Sequence, residues 1–218
     1  MKSVAKLAGR HKNKDIYVIG AGPSCNFLSR SFFNGKIVVG VNQTYKKFPC
    51  NYVVRKEHSD VVKTLKMAPK SFVIVSKLNY GSAKSKIAGI THNNLHIFNH
   101  LLNKGAINTA SFGKPGFLVV SNSTITSAIH FAYVLGAANI ILVGADHGTL
   151  DDKFVYDGYY EDIKQTPWKN WEQYVGWLKI LSKDTESISA KIREKGVNVV
   201  SLNPFINFGL EGHIYKYG

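Results

Sequence analysis

An acid and an imidazole stand side by side in Gly144-Ala145-Asp146-His147-Gly148, directly after an apolar run at residues 140–143. Such a pair, leaving a buried strand together, suits metal binding or proton transfer, and Asp146 is also a residue type that caps turns. Three other segments offer polar groups at similar places. Gly20-Ala21-Gly22-Pro23-Ser24 follows the run at 16–19. Its glycines let a backbone approach a ligand closely, and Ser24 can open a helix whose free N–H groups suit phosphate. Asn42 and Gln43 close the run at 36–41 with neutral groups that both donate and accept, fit for a base or ribose. Residues 121–127, Ser-Asn-Ser-Thr-Ile-Thr-Ser, hold six hydroxyl or amide side chains. Helix capping explains one of them, and the rest predict a second anion or ribose contact.

These segments need a scaffold that brings strand ends together. Short apolar, β-branched runs lie at 16–19, 36–41, 52–54, 72–75, 96–98, 140–143 and 197–200. Continuous apolar runs of this length read as parallel strands buried on both faces. Between them, Ser59 caps a predicted helix over 59–67, and Ser123 caps another that Gly136 ends. A long helix is expected from about 168 to 195, with Leu178, Leu181, Ile188 and Ile192 in its buried stripe and Gly196 after it. The order predicts an α/β fold: a doubly wound, mostly parallel sheet in a Rossmann-like three-layer α/β/α arrangement. It is read as one nucleotide-binding domain over 1–218, with a candidate lid at 147–167 and an irregular insertion at 77–116. An aromatic, acid-rich stretch after Asp146 holds Tyr156, Tyr159, Tyr160, Trp168 and Trp171, fit for core and rim or for a lid over a base or sugar.

Composition narrows the class. The 218 residues are 44% hydrophobic and 12% aromatic, enough to fill a core, so disorder is not expected. No apolar run approaches the ~20 residues of a membrane-spanning helix, and residues 1–7 lack a secretory signal's apolar core. With only Cys25 and Cys50, the expected compartment is the reducing cytoplasm. Residues 1–145 carry 19 bases and three acids, an excess that favours polyanionic partners. No zinc-finger spacing, basic zipper or aromatic RNA-binding signature is present, so specific nucleic-acid binding is not expected. The basic stretch Lys2, Lys6, Arg10, Lys12 and Lys14 reads either as a solvated arm or as a peripheral contact with the inner membrane face. His92, His96 and His100 read as surface and edge histidines. Cys25 and Asn42 stand where a dinucleotide fingerprint wants Gly and an acid, which argues against NAD and FAD.

In order along the chain, several blocks resemble one family. They are residues 10–24 through the Gly-Pro-Ser turn, Val41-Asn42-Gln43, Ile125-Thr126-Ser127-Ala128, Gly144-Ala145-Asp146, and Val199-Val200-Ser201-Leu202-Asn203-Pro204. The pattern is similar to the MptE-like domain family, which includes archaeal 6-hydroxymethylpterin diphosphokinases and motility-associated flagellin glycosyltransferases. It is also similar to bacterial CMP-sialic acid-dependent sialyltransferases. The resemblance implies that Gly20, Ala21, Gly22, Pro23 and Ser24 surround nucleotide phosphates, with Asn42 and Gln43 facing the cytidine or ribose. Thr126, Ser127 and Gly144 would complete the pocket. Three positions depart from the sialyltransferases: Ala21 replaces Asn, Thr124 replaces Arg, and 157–174 contains no His for the catalytic base. Two activities follow from the resemblance. One is a nucleotide-sugar-dependent glycosyltransferase of bacterial surface glycan or lipopolysaccharide synthesis. Its donor would be a CMP-sugar, its acceptor a glycan or glycolipid and its base Asp146 or His147, with no resident cofactor. The other is a pyrophosphokinase in which Asp146, with Asp151 or Asp152, holds Mg²⁺. A catalytically silent nucleotide-binding partner is the third reading.

Overall fold

The computed structural model describes residues 1–78, 87–99, 112–150, 153–160 and 171–202. Eight strands are found among them: β1 Lys2–Ser3, β2 Lys14–Ile19, β3 Ile37–Val41, β4 Tyr52–Arg55, β5 Phe72–Ser76, β6 Leu95–Phe98, β7 Ala137–Val143 and β8 Asn198–Ser201. All are parallel in one sheet of order β1-β6-β5-β4-β3-β2-β7-β8. The Rossmann-like α/β architecture is therefore as expected. Seven of these strands match the seven apolar runs, because both faces of the sheet are covered. Ile16, Val18, Val39, Ile140 and Leu142 point to one face, while Ile19, Val38 and Val143 point to the other.

The first face is covered by two helices, α2 Thr124–Val134 and α3 Trp171–Arg193. Ser123 caps α2 as expected, its hydroxyl accepting from the Ile125 N–H at 3.2 Å. Gly136 follows at φ 91°, a left-handed position that favours glycine. Every residue of α2 from Thr124 to Ala132 is buried, since the helix lies between the sheet and α3. The second face differs from expectation. Among the described residues, apart from the short α1, Val61–Met67, its cover consists of 3₁₀ turns, Ile87 and Ile90, and residues 153–160. The helix expected to open at Ser24 is one 3₁₀ turn, Pro23–Phe27. Its buried residues, Pro23, Ser24 and Cys25, are consecutive rather than three or four apart, so no helical face exists to bury. α1 also starts after Asp60 rather than from a Ser59 cap.

The basic N-terminal stretch is not a solvated arm. β1 pairs with β6, Val4 and Leu7 are buried, and the Gly9, His11 and Asn13 N–H groups donate to the carbonyls of Val134, Leu135 and Gly136. Because β1 covers β6, His96 is buried at 2% exposure with its ring edge against Phe72, contrary to the surface position expected. His100 lies outside the described residues, and β6 runs through the stretch expected to be an irregular insertion. None of the described helices is long and apolar enough to cross a membrane.

Sheet order locates the site. From β2 the strands run to β3, β4, β5 and β6 on one side and to β7 and β8 on the other. Connections therefore reverse direction between β2 and β7. In open parallel sheets the crevice beyond the strand ends at such a reversal is where ligands bind.

Candidate functional site

A cavity of about 280 Å³ opens at that point. Its polar side is formed by Gly20 to Gly22 after β2, Asn42 after β3, residues 144–148 after β7, and Asn122 to Ile125 at the start of α2. Phe154, Val155, Tyr159 and Tyr160, with Trp177, Leu178 and Leu181 of α3, supply an apolar and aromatic side. Four of the sequence segments singled out for chemistry thus converge on one space.

The glycine turn holds a protein anion. Asp146 is 2% exposed, and its Oδ2 accepts the Ser24 N–H at 2.7 Å while Oδ1 accepts the Ser24 hydroxyl at 2.6 Å. Charge-assisted bonds of this length are among the stronger ones a fold contains. The glycines serve the same arrangement. A Cβ on Gly22 would strike the Asp146 carboxylate, and one on Gly20 would strike the Gly144 carbonyl oxygen. The Gly20 and Gly22 N–H groups donate to Val143 and Gly144 across the strand ends at 2.7 and 2.8 Å. Gly144 itself sits at φ 60° with the Cys25 thiol where its Cβ would be. Close approach is therefore needed by β7 and Asp146, while Gly20, Ala21 and Gly22 also line the cavity. Pro23 and Ser24 do not line the cavity, whereas Asp146 does while being only 2% exposed.

The same geometry tests the metal reading. Both Asp146 oxygens already accept from Ser24, and among the described residues no three His, Cys, Asp or Glu side chains gather to hold an ion. Asp151 and Asp152 lie outside the described residues.

His147 follows at φ 53°, a left-handed conformation uncommon for a residue with a side chain. His147 lines the cavity, and its Nε2 is shielded from solvent with no hydrogen-bond partner among the described residues. Burial lowers its pKa to about 4, while the Asp184 carboxylate of α3 pulls the other way. The ring is therefore neutral at pH 7 with a lone pair to offer.

Asn42, also left-handed at φ 50°, lines the cavity, and its side chain bonds Tyr159. Gln43 does not line it. It leads instead into the 3₁₀ turn Thr44–Lys46. Thr126 and Ser127 are corrected as well. Both are fully buried, Thr126 bonding the Ser121 hydroxyl at 2.9 Å and the Ser123 carbonyl at 2.8 Å, and Ser127 donating to the Val119 carbonyl at 2.9 Å. They tie the incoming chain to α2. The cavity is lined instead by Asn122, Ser123 and Thr124, earlier members of the same polar run.

The loop leading to Thr124 is fixed from two sides. Lys56 Nζ donates to the Ser121 and Asn122 carbonyls at 2.9 Å each. Asp184 Oδ2 accepts from the Asn122 backbone and side-chain N–H groups at 3.2 and 3.0 Å. Burial lowers the Lys56 pKa to about 8, opposed by Glu57 and Asp184.

With this geometry established, comparison with known proteins gives the following. No family model matches the chain, and neither does any curated protein. The structure is similar to that of the sialyltransferase CstII from Campylobacter jejuni, solved with the substrate analogue CMP-3FNeuAc. That match has 14% identity and a TM-score of 0.49, covering 88% of this chain and 82% of that one. It is also similar to the MAf glycosyltransferase from Magnetospirillum magneticum AMB-1, at 11% identity and a TM-score of 0.42, covering 71% of this chain. The chain spans 28% of the length of that second protein. The MptE-like relation stays a resemblance of sequence blocks.

Sequence reasoning missed Lys56 and Asp184 as site groups. One signal was available for the last. Asp184 and Thr185 fall in a gap of the α3 stripe between Leu181 and Ile188, where an apolar residue would be expected.

Proposed function

We propose that the chain is a nucleotide-sugar-dependent glycosyltransferase whose donor occupies the cavity between the glycine turn and α2. A CMP-linked sugar is the donor implied by the sequence resemblance, and the acceptor is a surface glycan or glycolipid completed at the inner membrane face. One observation carries the reading: His147, a neutral imidazole whose shielded Nε2 has no partner among the described residues, lines the cavity that also collects Asn42 and the start of α2. Transfer to a hydroxyl needs a group to take its proton, and His147 Nε2 is placed to do so. The charge the ring then acquires is offset by Asp184. Asn42 and Tyr159 offer hydrogen bonds to base or ribose, and the aromatic side excludes water from the reacting sugar.

A thermal-shift screen of CMP, CDP, UDP, GDP and ATP, each with and without Mg²⁺, tests the ligand class. Stabilisation by CMP independent of Mg²⁺ is expected, and saturation at 100 times Kd would add about 2.7 kcal/mol. In a donor-consumption assay, His147→Ala is expected to lower the rate by about 10²–10⁴. Stabilisation by ATP alone, only with Mg²⁺, would favour the pyrophosphokinase. Nucleotide binding with no turnover against any acceptor would favour the silent partner.

A further inference from the structure

The formal charge of +14 is not spread evenly over the fold. Because the strands are parallel, they all begin at one edge of the sheet and all end at the other, where the cavity lies. The segments that leave the strands carry both signs, with Glu57, Asp60, Asp146 and Asp157 among them. The starting edge is different. Lys2 opens β1, Lys70 stands two residues before β5, Lys36 directly precedes β3, and Lys14 opens β2. Arg10 lies over the Phe72 ring at the start of β5, 4.5 Å from its centroid. Lys12 backs onto Gly136, just before β7. In sheet order these bases run from β1 to β7, about 29 Å for six strand spacings. All but Lys36 are exposed.

Among the described residues, two acids share this edge, and both are engaged. Asp15 Oδ1 accepts from the Asn139 amide at 2.7 Å, and Glu194 pairs with Lys191 at 2.9 Å. The row is also fixed in place. The Gly9, His11 and Asn13 N–H groups donate to the last carbonyls of α2 and to Gly136, which sets the path of Arg10 and Lys12. The same bonds satisfy the negative end of that helix. Little order is therefore left to impose when a polyanion meets the row. Its chemistry is charge alone. Phe72 lies under Arg10 and Tyr52 is buried, so no ring is presented on which a base could stack. A broad anionic surface needs only positive charge within a Debye length.

We propose that the strand-start edge, from Lys2 through Arg10, Lys70, Lys36 and Lys14 to Lys12, is a docking face for an anionic lipid bilayer. The cavity then opens away from the lipid, a strand's length further out: the seven residues of β7 span about 23 Å. On the transferase reading, an acceptor anchored in that bilayer reaches the cavity only through an extended glycan. That last step rests on the transferase reading, and the docking does not.

Co-sedimentation of the full chain with phosphatidylcholine vesicles, with or without about one-third phosphatidylglycerol, tests the docking in the absence of nucleotide. Binding to the anionic vesicles alone is expected, with release as salt rises from about 0.1 M to about 0.5 M. Lys12→Gln, Lys14→Gln and Lys70→Gln combined should weaken it about 100-fold, roughly fivefold for each base lost. Lys77→Gln, Lys153→Gln and Lys183→Gln combined remove the same charge from exposed positions elsewhere and should weaken it by less than about fivefold. Hydrogen exchange of the wild-type chain on the vesicles should slow at residues 9–14, 34–36 and 69–71 and stay unchanged at 144–148. Equal weakening by the two triple variants would reduce the attraction to net charge and overturn the face. Equal binding to both kinds of vesicle, no binding to either, or slowed exchange confined to the cavity loops would overturn it too. Release from the vesicles by single-stranded RNA at a lower phosphate concentration than the lipid supplies would make nucleic acid the partner and remove the bilayer.

Discussion

The glycine turn after β2 and the start of α2 border the same cavity, and each begins with small polar residues that read as phosphate-binding from sequence. They are built oppositely. At the first, Ser24 gives its N–H and its hydroxyl to Asp146, so the turn is closed by a residue 122 positions further along the chain. At the second, Ser123 caps the helix, the Asp184 carboxylate of α3 accepts from Asn122, and Thr124 bonds none of the described groups. A motif that supplies N–H donors is thus not in itself an anion site. What decides is which of those donors the fold has already used.

The largest expected effect would break the closed turn. Gly22→Val drives a branched side chain into the Asp146 carboxylate and the Gly144 carbonyl oxygen. Overpacking and the unpairing of a buried carboxylate together should cost at least about 4 kcal/mol. Urea denaturation checks it, and a variant as stable as wild type would mean the turn is not closed by Asp146.

Acid comes next, because His147 lies on the closed side directly after Asp146. Its folded pKa of about 4 lies below the ordinary 6.5, so between those values the unfolded chain binds the proton and the folded chain does not. Stability is therefore intact above pH 6.5 and drains as pH falls toward 4, by on the order of 3 kcal/mol. His130, whose Nδ1 accepts the Val119 N–H at 2.8 Å and whose pKa burial lowers to about 3, adds a loss of the same sign. His147→Gln should remove its part of the slope, read from denaturation midpoints against pH.

Smaller again is Asp146→Asn, which loses the charge and can turn an NH₂ toward the Ser24 donors. A loss of about 1–3 kcal/mol is expected. A change below about 0.5 kcal/mol would place Asp146 among surface groups and reopen the turn as a phosphate site.

How much of this was legible in the sequence follows from how local each feature is. Strands buried on both faces write their positions as apolar runs, and seven were readable. β1 has two residues and no pattern to show. Ser123 announced α2 because a cap and its helix are adjacent. The 3₁₀ cover of the second face escaped, since five residues carry no periodicity. The Asp146–Ser24 pair escaped for a different reason: each partner reads correctly alone as a polar residue after a strand. Only the register of β2 against β7, Ile19 beside Val143, brings them together. Within residues 121–127 the sequence marked the run but not its members. Which hydroxyls face strand and which face cavity depends on where α2 begins, and a shift of two or three residues exchanges Thr126 and Ser127 for Ser123 and Thr124.

The smallest expected effect sharpens the comparison most. Thr124→Val keeps the β-branched shape and removes one hydroxyl that bonds none of the described groups. With the Ser123 cap intact, stability should move by no more than about 0.5 kcal/mol, whereas Ser24→Ala, a similar deletion at the closed turn, should cost about 1–3 kcal/mol. Measured side by side in urea, the two hydroxyls report different duties: one closes the turn on Asp146, and the other makes no bond that holds the fold. If Thr124→Val destabilised the protein as much as Ser24→Ala, its hydroxyl would have a structural partner, and the start of α2 would be as closed as the glycine turn.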